Sequence, residues 1–300
     1  MNVSKQLLGM ASLLVLFGCG RGGQEGSEQG RGLIQNKGSD TLVNVAQAWA
    51  EAYGDVDENV AVAVSGGGSG TGIAALINST ADIANASRAM KEKEIELAKK
   101  NGHNPVQFVV GYDALAVYVH KDNPLESLSI EQLAELYGEN GTIDNWAELG
   151  VEVPGCKGQE IVRVSRQNNS GTYAYFREAV LGKRRDYKLG SRDMHGSKDV
   201  VDLVEHTPCA IGYSGLAYAT PNVKLVCISK GGGEACINPS VATAIDRTYP
   251  IARPLFMYTR GEPTGRIKAY MDWILSDAGQ CILAEKGYAP VSGIDCEGTT

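Results

Sequence analysis

The run Val106-Gln107-Phe108-Val109-Val110-Gly111-Tyr112-Asp113-Ala114-Leu115-Ala116-Val117-Tyr118-Val119-His120 decides the fold. It is rich in β-branched and aromatic residues and about three times as long as an ordinary strand. One compact unit does not need so long a strand, and Gly111-Tyr112-Asp113 interrupts its apolar pattern. It therefore reads as a crossover between two lobes. Upstream, Leu33-Ile34 begins a short strand, and Leu42, Val45, Ala46, Trp49 and Tyr53 recur at helical spacing. Val60 to Val64 predicts a strand, Ile73 to Ile77 a helix, Ala81 to Ala84 a strand, and Lys91 to Lys100 an exposed charged helix. Downstream come the helix Ile130 to Tyr137, the strand Ile161 to Ser165, the helices Thr172 to Leu181 and Lys198 to His206, and the strands Ala210 to Tyr213 and Val223 to Ile228. Tyr249 to Thr259 is again extended and leads into the helix Gly265 to Leu275, with Ile267, Tyr270, Met271 and Ile274 as one apolar stripe. It reads as a second, returning crossover. Alternating strands and helices of this kind predict an α/β protein of two lobes, each a mainly parallel sheet flanked by helices. The expected boundaries are 33–112 for the first lobe, 113–250 for the second and 251–300 for the return to the first. No repeat of solenoid period is present.

The first residues read as an export signal. Lys5 supplies a positive start, Leu7 to Phe17 an apolar core too short to span a bilayer permanently, and Gly18-Cys19 a lipobox-like end. Cys19 is the expected site of lipidation, and 1–19 the signal and lipobox. Residues 20–32 form a Gly, Gln, Glu, Arg and Ser run that cannot bury enough apolar surface to order itself, and they read as a tether. Export to an oxidising compartment favours disulfides among the six cysteines other than Cys19. Proximity suggests Cys227 with Cys236 and Cys281 with Cys296, leaving Cys156 with Cys209, among fifteen possible pairings. No C-x2-C pattern points to zinc.

The formal charge is −7, and −8 once Lys5 leaves with the signal. An acidic chain argues against nucleic acid or an anionic lipid surface as partner. It does not argue against a small anion, which backbone N–H groups and hydroxyls can hold inside a site whatever the net charge. His103, His120, His195 and His206 lie in polar surroundings without ligand spacing and read as solvated. Trp49, Trp146 and Trp273 read as core.

Three strand-to-helix junctions share a composition: Gly38-Ser39-Asp40-Thr41, Ser65-Gly66-Gly67-Gly68-Ser69-Gly70-Thr71-Gly72, and Arg166-Gln167-Asn168-Asn169-Ser170-Gly171-Thr172. Each sets hydroxyls and free N–H groups at a helix N-terminus, where the helix dipole favours an anion. Any one of them is explained by ordinary helix capping. Three together, one carrying Arg166, point to an anion site. The glycine loop has neither the Lys of a P-loop nor the spacing of G-x-G-x-x-G, which argues against a nucleotide.

These residues carry a resemblance. The chain resembles the phosphate-specific substrate-binding proteins of bacterial ABC importers, within the type II periplasmic binding protein fold. The likeness runs through the three junctions, Ala81-Asp82-Ile83-Ala84-Asn85-Ala86-Ser87-Arg88, Ala210-Ile211-Gly212-Tyr213, Tyr249-Pro250-Ile251-Ala252-Arg253-Pro254-Leu255, Asp277-Ala278-Gly279-Gln280 and Gly287-Tyr288. It implies inorganic phosphate as ligand, an ABC permease as partner, no cofactor, no catalysis, and a monomer whose only hold on a membrane is its lipid anchor. It implies that Thr41, Ser69 and Gly70 donate to the anion from the first lobe, with Ser39 and Asp40 beside them. From the second lobe Arg166, Ser170, Gly171 and Thr172 would do so.

Two positions depart from the family. Its best-known members have an aspartate where Arg88 stands, which accepts the ligand's proton. Arg88 then either contacts the anion or is held by Asp82 or Asp40, and Asp40 becomes the candidate proton acceptor. The aspartate that usually partners the second-lobe arginine is replaced by Asn168, which predicts a less tightly clamped Arg166. Two other functions fit the same fold class: a phosphate-sensing or adhesive surface lipoprotein, and a phosphohydrolase. Ser69 and Ser214 lack the G-x-S-x-G elbow, which disfavours the latter.

Overall fold

The computed structural model describes residues 32–231 and 233–296. The signal segment, Cys19 and the tether up to Arg31 lie outside the described residues. The chain opens with β1 (Gly32–Gly38), α1 (Val43–Val56), β2 (Val60–Ser65), α2 (Ser69–Ile77), β3 (Ile83–Ala86) and α3 (Glu92–Lys100). Along α1 the helical spacing is borne out: Leu42, Val45, Ala46, Trp49 and Tyr53 are all buried. Trp49 also donates its indole N–H to the Gly279 carbonyl at 2.7 Å. That bond satisfies the polar tip of a fully buried aromatic.

β4 (Val106–His120) is one unbroken strand of 15 residues. Gly111-Tyr112-Asp113 does not interrupt it; the irregularity falls one residue earlier, where Val110 is passed over in the ladder. A bulge of this kind bends a strand without ending it.

Then follow β5 (Ser127–Ser129), α4 (Ile130–Tyr137), β6 (Val162–Arg166) and α5 (Gly171–Phe176), the last continued by a π-helical turn (Arg177–Leu181). Ser129 begins α4 with a reciprocal cap, accepting from Gln132 N at 3.2 Å while its own N–H donates to Gln132 Oε1 at 2.9 Å. A cap of this sort stabilises a helix by about 1 kcal/mol. The chain closes with β7 (Arg192–Met194), α6 (Ser197–Glu205), β8 (Ala210–Gly215), β9 (Val223–Leu225), β10 (Cys227–Ser229), α7 (Val241–Ile245), β11 (Ala252–Thr259), α8 (Gly265–Ile274) and α9 (Asp277–Glu285).

Among the described residues nine strands form one sheet, ordered β2-β1-β3-β11-β4-β8-β6-β7, with β9 also on β4. β1, β2 and β3 are mutually parallel, as are β6, β7 and β8. Between these two parallel sets lie β11 and β4, antiparallel to each other and to their neighbours. β4 pairs with β11 through Val106 to Ala114, then with β8 and β9 from Leu115 to His120. The long run thus carries the sheet from one half to the other, giving the two-lobed α/β architecture. Its residues Ala114 to Val119 are buried on both faces. Continuous burial explains why that stretch is apolar throughout instead of alternating.

One expected strand divides. Val223 to Ile228 is apolar but for Lys224, yet β9 joins the main sheet while β10 pairs in parallel with β5 in a separate two-stranded sheet. Between them, Val226 donates its N–H to the Val117 carbonyl. Disulfides join Cys156 to Cys209, Cys227 to Cys236 and Cys281 to Cys296.

Candidate functional site

The carboxyl ends of β1, β2 and β3 deliver one set of loops, and the carboxyl end of β6 delivers another. In open α/β sheets such ends are where ligands bind. β1 ends at Gly38, placing Ser39, Asp40 and Thr41 in the turn before α1. β2 leads through Gly66-Gly67-Gly68 to Ser69, the first residue of α2. Gly68 has φ +90°, a conformation that side chains disfavour, and a Cβ there would sit 2.7 Å from the Asn169 carbonyl oxygen. β6 ends at Arg166, and Ser170 and Gly171 open α5.

The structure brings most of the expected residues together. Thr41 and Thr172 share a hydroxyl contact at 3.0 Å across 131 residues of sequence. Ser69 Oγ accepts from the Ser87 N–H at 3.0 Å and lies 3.4 Å from the Ser87 hydroxyl, which in turn meets Ser39 Oγ at 3.0 Å. Gly70 N–H donates to the Asn169 carbonyl at 2.9 Å, and Asn169 Nδ2 donates to the Gly67 carbonyl at 3.0 Å. Gly171 is packed directly on Ser69 and Ser87. Ser39, Thr41, Ser69, Ser87, Ser170 and Thr172 are all buried.

Ser170 is more than a hydroxyl facing the cleft. Its oxygen caps α5, accepting from the N–H groups of Thr172 and Tyr173 at 3.1 and 3.4 Å. Its O–H proton alone remains to donate elsewhere.

Arg166 is fully buried and firmly held, which corrects the expectation of a loose clamp. Its Nη2 donates to Asp40 Oδ2 at 3.1 Å and to the His195 carbonyl at 2.8 Å, and its Nη1 donates to Ser197 Oγ at 2.9 Å. The carboxylate lost at Asn168 is replaced by Asp40 from the opposite junction. Asp40 Oδ1 accepts from the Gly67 N–H at 2.8 Å, so both its oxygens are engaged. Arg166 Nε is a buried donor without a partner. Burial pulls this guanidinium below its ordinary value, with Asp40 working in the other direction.

Arg88 is held by neither Asp82 nor Asp40. It forms a forked pair with Glu94 at 2.7 and 2.8 Å, while Asp82 pairs with Arg260 at 2.7 Å. The Glu94 carboxyl, partly buried, is held below its usual range by hydrogen bonds from Arg88 and the Lys91 N–H, which outweigh the opposing effect of burial. Helical geometry explains the choice: Glu94 lies in the first turn of α3, four residues from Met90 and within reach of the Arg88 side chain as the chain turns. Arg88 lines a cavity of about 590 Å³ beside the hydroxyl cluster, together with Lys91, Asn168, Tyr173, Tyr175 and Phe256.

Sequence reasoning missed a second buried arginine. Arg253, on β11, donates Nε and Nη2 to Asp113 Oδ2 at 3.0 and 2.7 Å, and Nη1 to the Ser87 carbonyl at 3.2 Å. Nη2 also reaches Thr172 Oγ1 at 3.1 Å and Thr41 Oγ1 at 3.3 Å. Arg253 and Asp113 are register partners on β11 and β4. Burial pushes the Asp113 carboxyl upward although Arg253 opposes the shift. The available signal was a lone charge of each sign, one in each of two otherwise apolar crossover strands. Ser87 and Ser197 were also missed.

This site and fold define a class. The chain belongs to the PBP superfamily, whose domain model matches residues 23–278. Relatives within it include proteins named PstS. The chain is 34% identical over 271 residues to the phosphate-binding protein PstS of Pseudomonas aeruginosa, covering 87% of this chain and 83% of that one. It is 32% identical over 281 residues to the protein SphX of Synechococcus elongatus, covering 89% and 80%. Among solved structures it is similar to one from Clostridium perfringens described as a phosphate ABC transporter substrate-binding protein with bound phosphate. That match has a TM-score of 0.77 at 29% identity, over 87% of this chain and all of the other. A phosphate transport receptor from Vibrio cholerae matches with a TM-score of 0.68 at 26% identity, over 85% and 99%.

Proposed function

We propose that this chain captures inorganic phosphate between its two lobes and presents it to the transmembrane subunits of an ABC importer. The observation that carries the reading is the convergence of Thr41, Ser69 and Thr172 hydroxyls on one buried spot beside Arg166, drawn from loops on opposite halves of the sheet. Each of these groups can donate to a phosphate oxygen, and an anion accepting from both halves at once would hold them together. The names of the relatives support the same ligand. Ser39, Gly70, Ser170 and Gly171 complete the surroundings, Arg88 stands at the rim, and Asp40 is the group we assign to receive the ligand's proton.

The role is that of a carrier, not an enzyme. Ser69 Oγ is engaged by Ser87 rather than by a base that would make it a nucleophile. Isothermal titration of the purified soluble domain checks the reading. Phosphate should bind at one site per chain, with sulfate at least about a hundredfold weaker, because a fully deprotonated anion has no proton to donate to Asp40 and sets its lone pairs against that carboxylate. Equal affinities for the two anions, or no binding of either, would sink it.

We further propose that Cys19 carries lipid and that the tether lets the protein stand off a bacterial membrane as a monomer. In fractionated cells, Cys19→Ala should move the protein from the membrane to the soluble fraction. Retention at the wild-type level would remove the anchor assignment.

A further inference from the structure

We propose that Arg253 supplies the positive charge meeting the anion at the floor of the cleft. This role rests on the reading of the cleft as a phosphate site. The two buried arginines differ in what they face. Arg166 faces a carboxylate satisfied at both oxygens, and its Nη groups donate to Asp40, Ser197 and the His195 carbonyl. It ties one half of the molecule to the other, keeps Nε–H and one Nη1–H, and makes no hydrogen bond to either threonine hydroxyl. Arg253 is held along its Nε and Nη2 edge by a single oxygen of Asp113. Its Nη2 also faces both threonine hydroxyls at 3.1 and 3.3 Å. Any anion that accepts from the Thr41 and Thr172 hydroxyls therefore lies beside Arg253 Nη2.

Two further observations point the same way. Tyr175 lies over the guanidinium, 5.6 Å from ring centroid to Cζ, and its hydroxyl donates to the Ala252 carbonyl at 2.6 Å, fixing the side chain from the lobe opposite Ser87. Of the two Asp113 oxygens Arg253 donates to Oδ2 alone and leaves Oδ1 to the Leu216 backbone N–H side of the carboxylate. A pair serving only to join β4 to β11 would be expected to use both oxygens in a fork. The arrangement instead leaves a guanidinium edge turned to the hydroxyls.

The competing account makes Asp113 and Arg253 a structural tie between register partners. Two variants separate the accounts, each measured by phosphate titration and by thermal melting without ligand. Asp113→Asn keeps the side-chain shape and one acceptor for Arg253 but removes a negative charge near the anion. Phosphate should then bind as tightly as to wild type, or up to about tenfold more tightly. The double variant Asp113→Asn with Arg253→Met removes both charges without stranding either, so the fold is retained. It should lose phosphate affinity by about thirtyfold or more.

A double variant within about threefold of wild type overturns the proposal. So does an equal loss in both variants, the signature of a structural tie. If the double variant does not fold, Asp113→Asn decides alone: weaker binding by a folded Asp113→Asn protein overturns the assignment, and unchanged or tighter binding upholds it. Wild-type protein that binds no phosphate would instead overturn the function on which the assignment rests.

Discussion

Gly171→Ala should abolish phosphate capture while leaving the fold intact. Gly171 is the first residue of α5, and its backbone conformation is one that alanine adopts freely. The obstacle is space. A Cβ at this position would sit 2.2 Å from Ser69 Oγ, 2.6 Å from Ser87 Oγ and 3.0 Å from Ser69 Cβ. Ser69 opens α2 after β2 and Ser87 follows β3, whereas Gly171 opens α5 after β6, so relief requires these junctions to part. Parting them by about 1 Å breaks the Thr41 to Thr172 contact and the Gly70 to Asn169 bond, which hold the two sides together at 3.0 and 2.9 Å. Overpacking of this kind costs roughly 1 to 3 kcal/mol before any lost anion contact is counted. The combined effect should weaken phosphate binding by about a hundredfold or more.

The free protein escapes that cost by opening, so its melting temperature should change little. What disappears is the rise in melting temperature that ligand binding produces by mass action. Gly54→Ala, in α1 where a Cβ would meet nothing within 4 Å, is the control and should bind normally. Phosphate affinity of Gly171→Ala within about threefold of wild type would show that this contact plays no part in capture.

The steric argument depends on loops that the sequence placed correctly but whose pairings it left hidden. The crossover was legible because continuous burial makes β4 apolar along its length. The junction before α5 was legible because hydroxyls and glycine stand where a helix begins. By contrast, β5 and β7 are three residues each, too short to show a period. Val223 to Ile228 gave one apolar signal for two strands, since local hydrophobicity does not say which sheet a residue joins. α9 carries no helical apolar stripe in the sequence, because its buried face is Gly279, Gln280 and Leu283. Gln280 earns its burial through bonds to the Val110 and Ile274 carbonyls.

The candidate site shows the same division. The residue types that bind anions were visible in the loops, whereas Asp113 and Arg253, 140 residues apart, become a pair only once β4 lies against β11. Arg88 was offered Asp82 and Asp40 as partners from nearby sequence, yet Glu94 was closer in space because a helix start turned it back. With Asn168 in place of an aspartate, the sequence around Arg166 offers it no local carboxylate. Its actual partner comes from a junction 126 residues away.

Arg166→Ala should weaken phosphate binding by about thirtyfold or more and also destabilise the closed form. The side chain is buried, and its removal leaves Asp40 Oδ2 without its cationic partner while Oδ1 still accepts from Gly67 N–H. An uncompensated carboxylate beside the anion adds repulsion to the loss of a charged donor. Truncating one member of a buried charged pair costs on the order of 2 to 5 kcal/mol, which spans about thirtyfold to several thousandfold in affinity. Asp40→Asn keeps one acceptor oxygen for the ligand's proton but removes the charge, so introduced into Arg166→Ala it should recover part of the loss, giving a coupling well outside the few tenths of a kcal/mol expected of independent sites. A surface arginine behaves otherwise: its removal would change affinity by less than about threefold, and the change would vanish at high salt as the long-range field is screened. Titrations of wild type, both single variants and the double variant at low and high ionic strength therefore distinguish the two. A small, salt-sensitive loss with additive single effects would place Arg166 outside the capture of the anion, leaving the tie to Asp40 as packing alone.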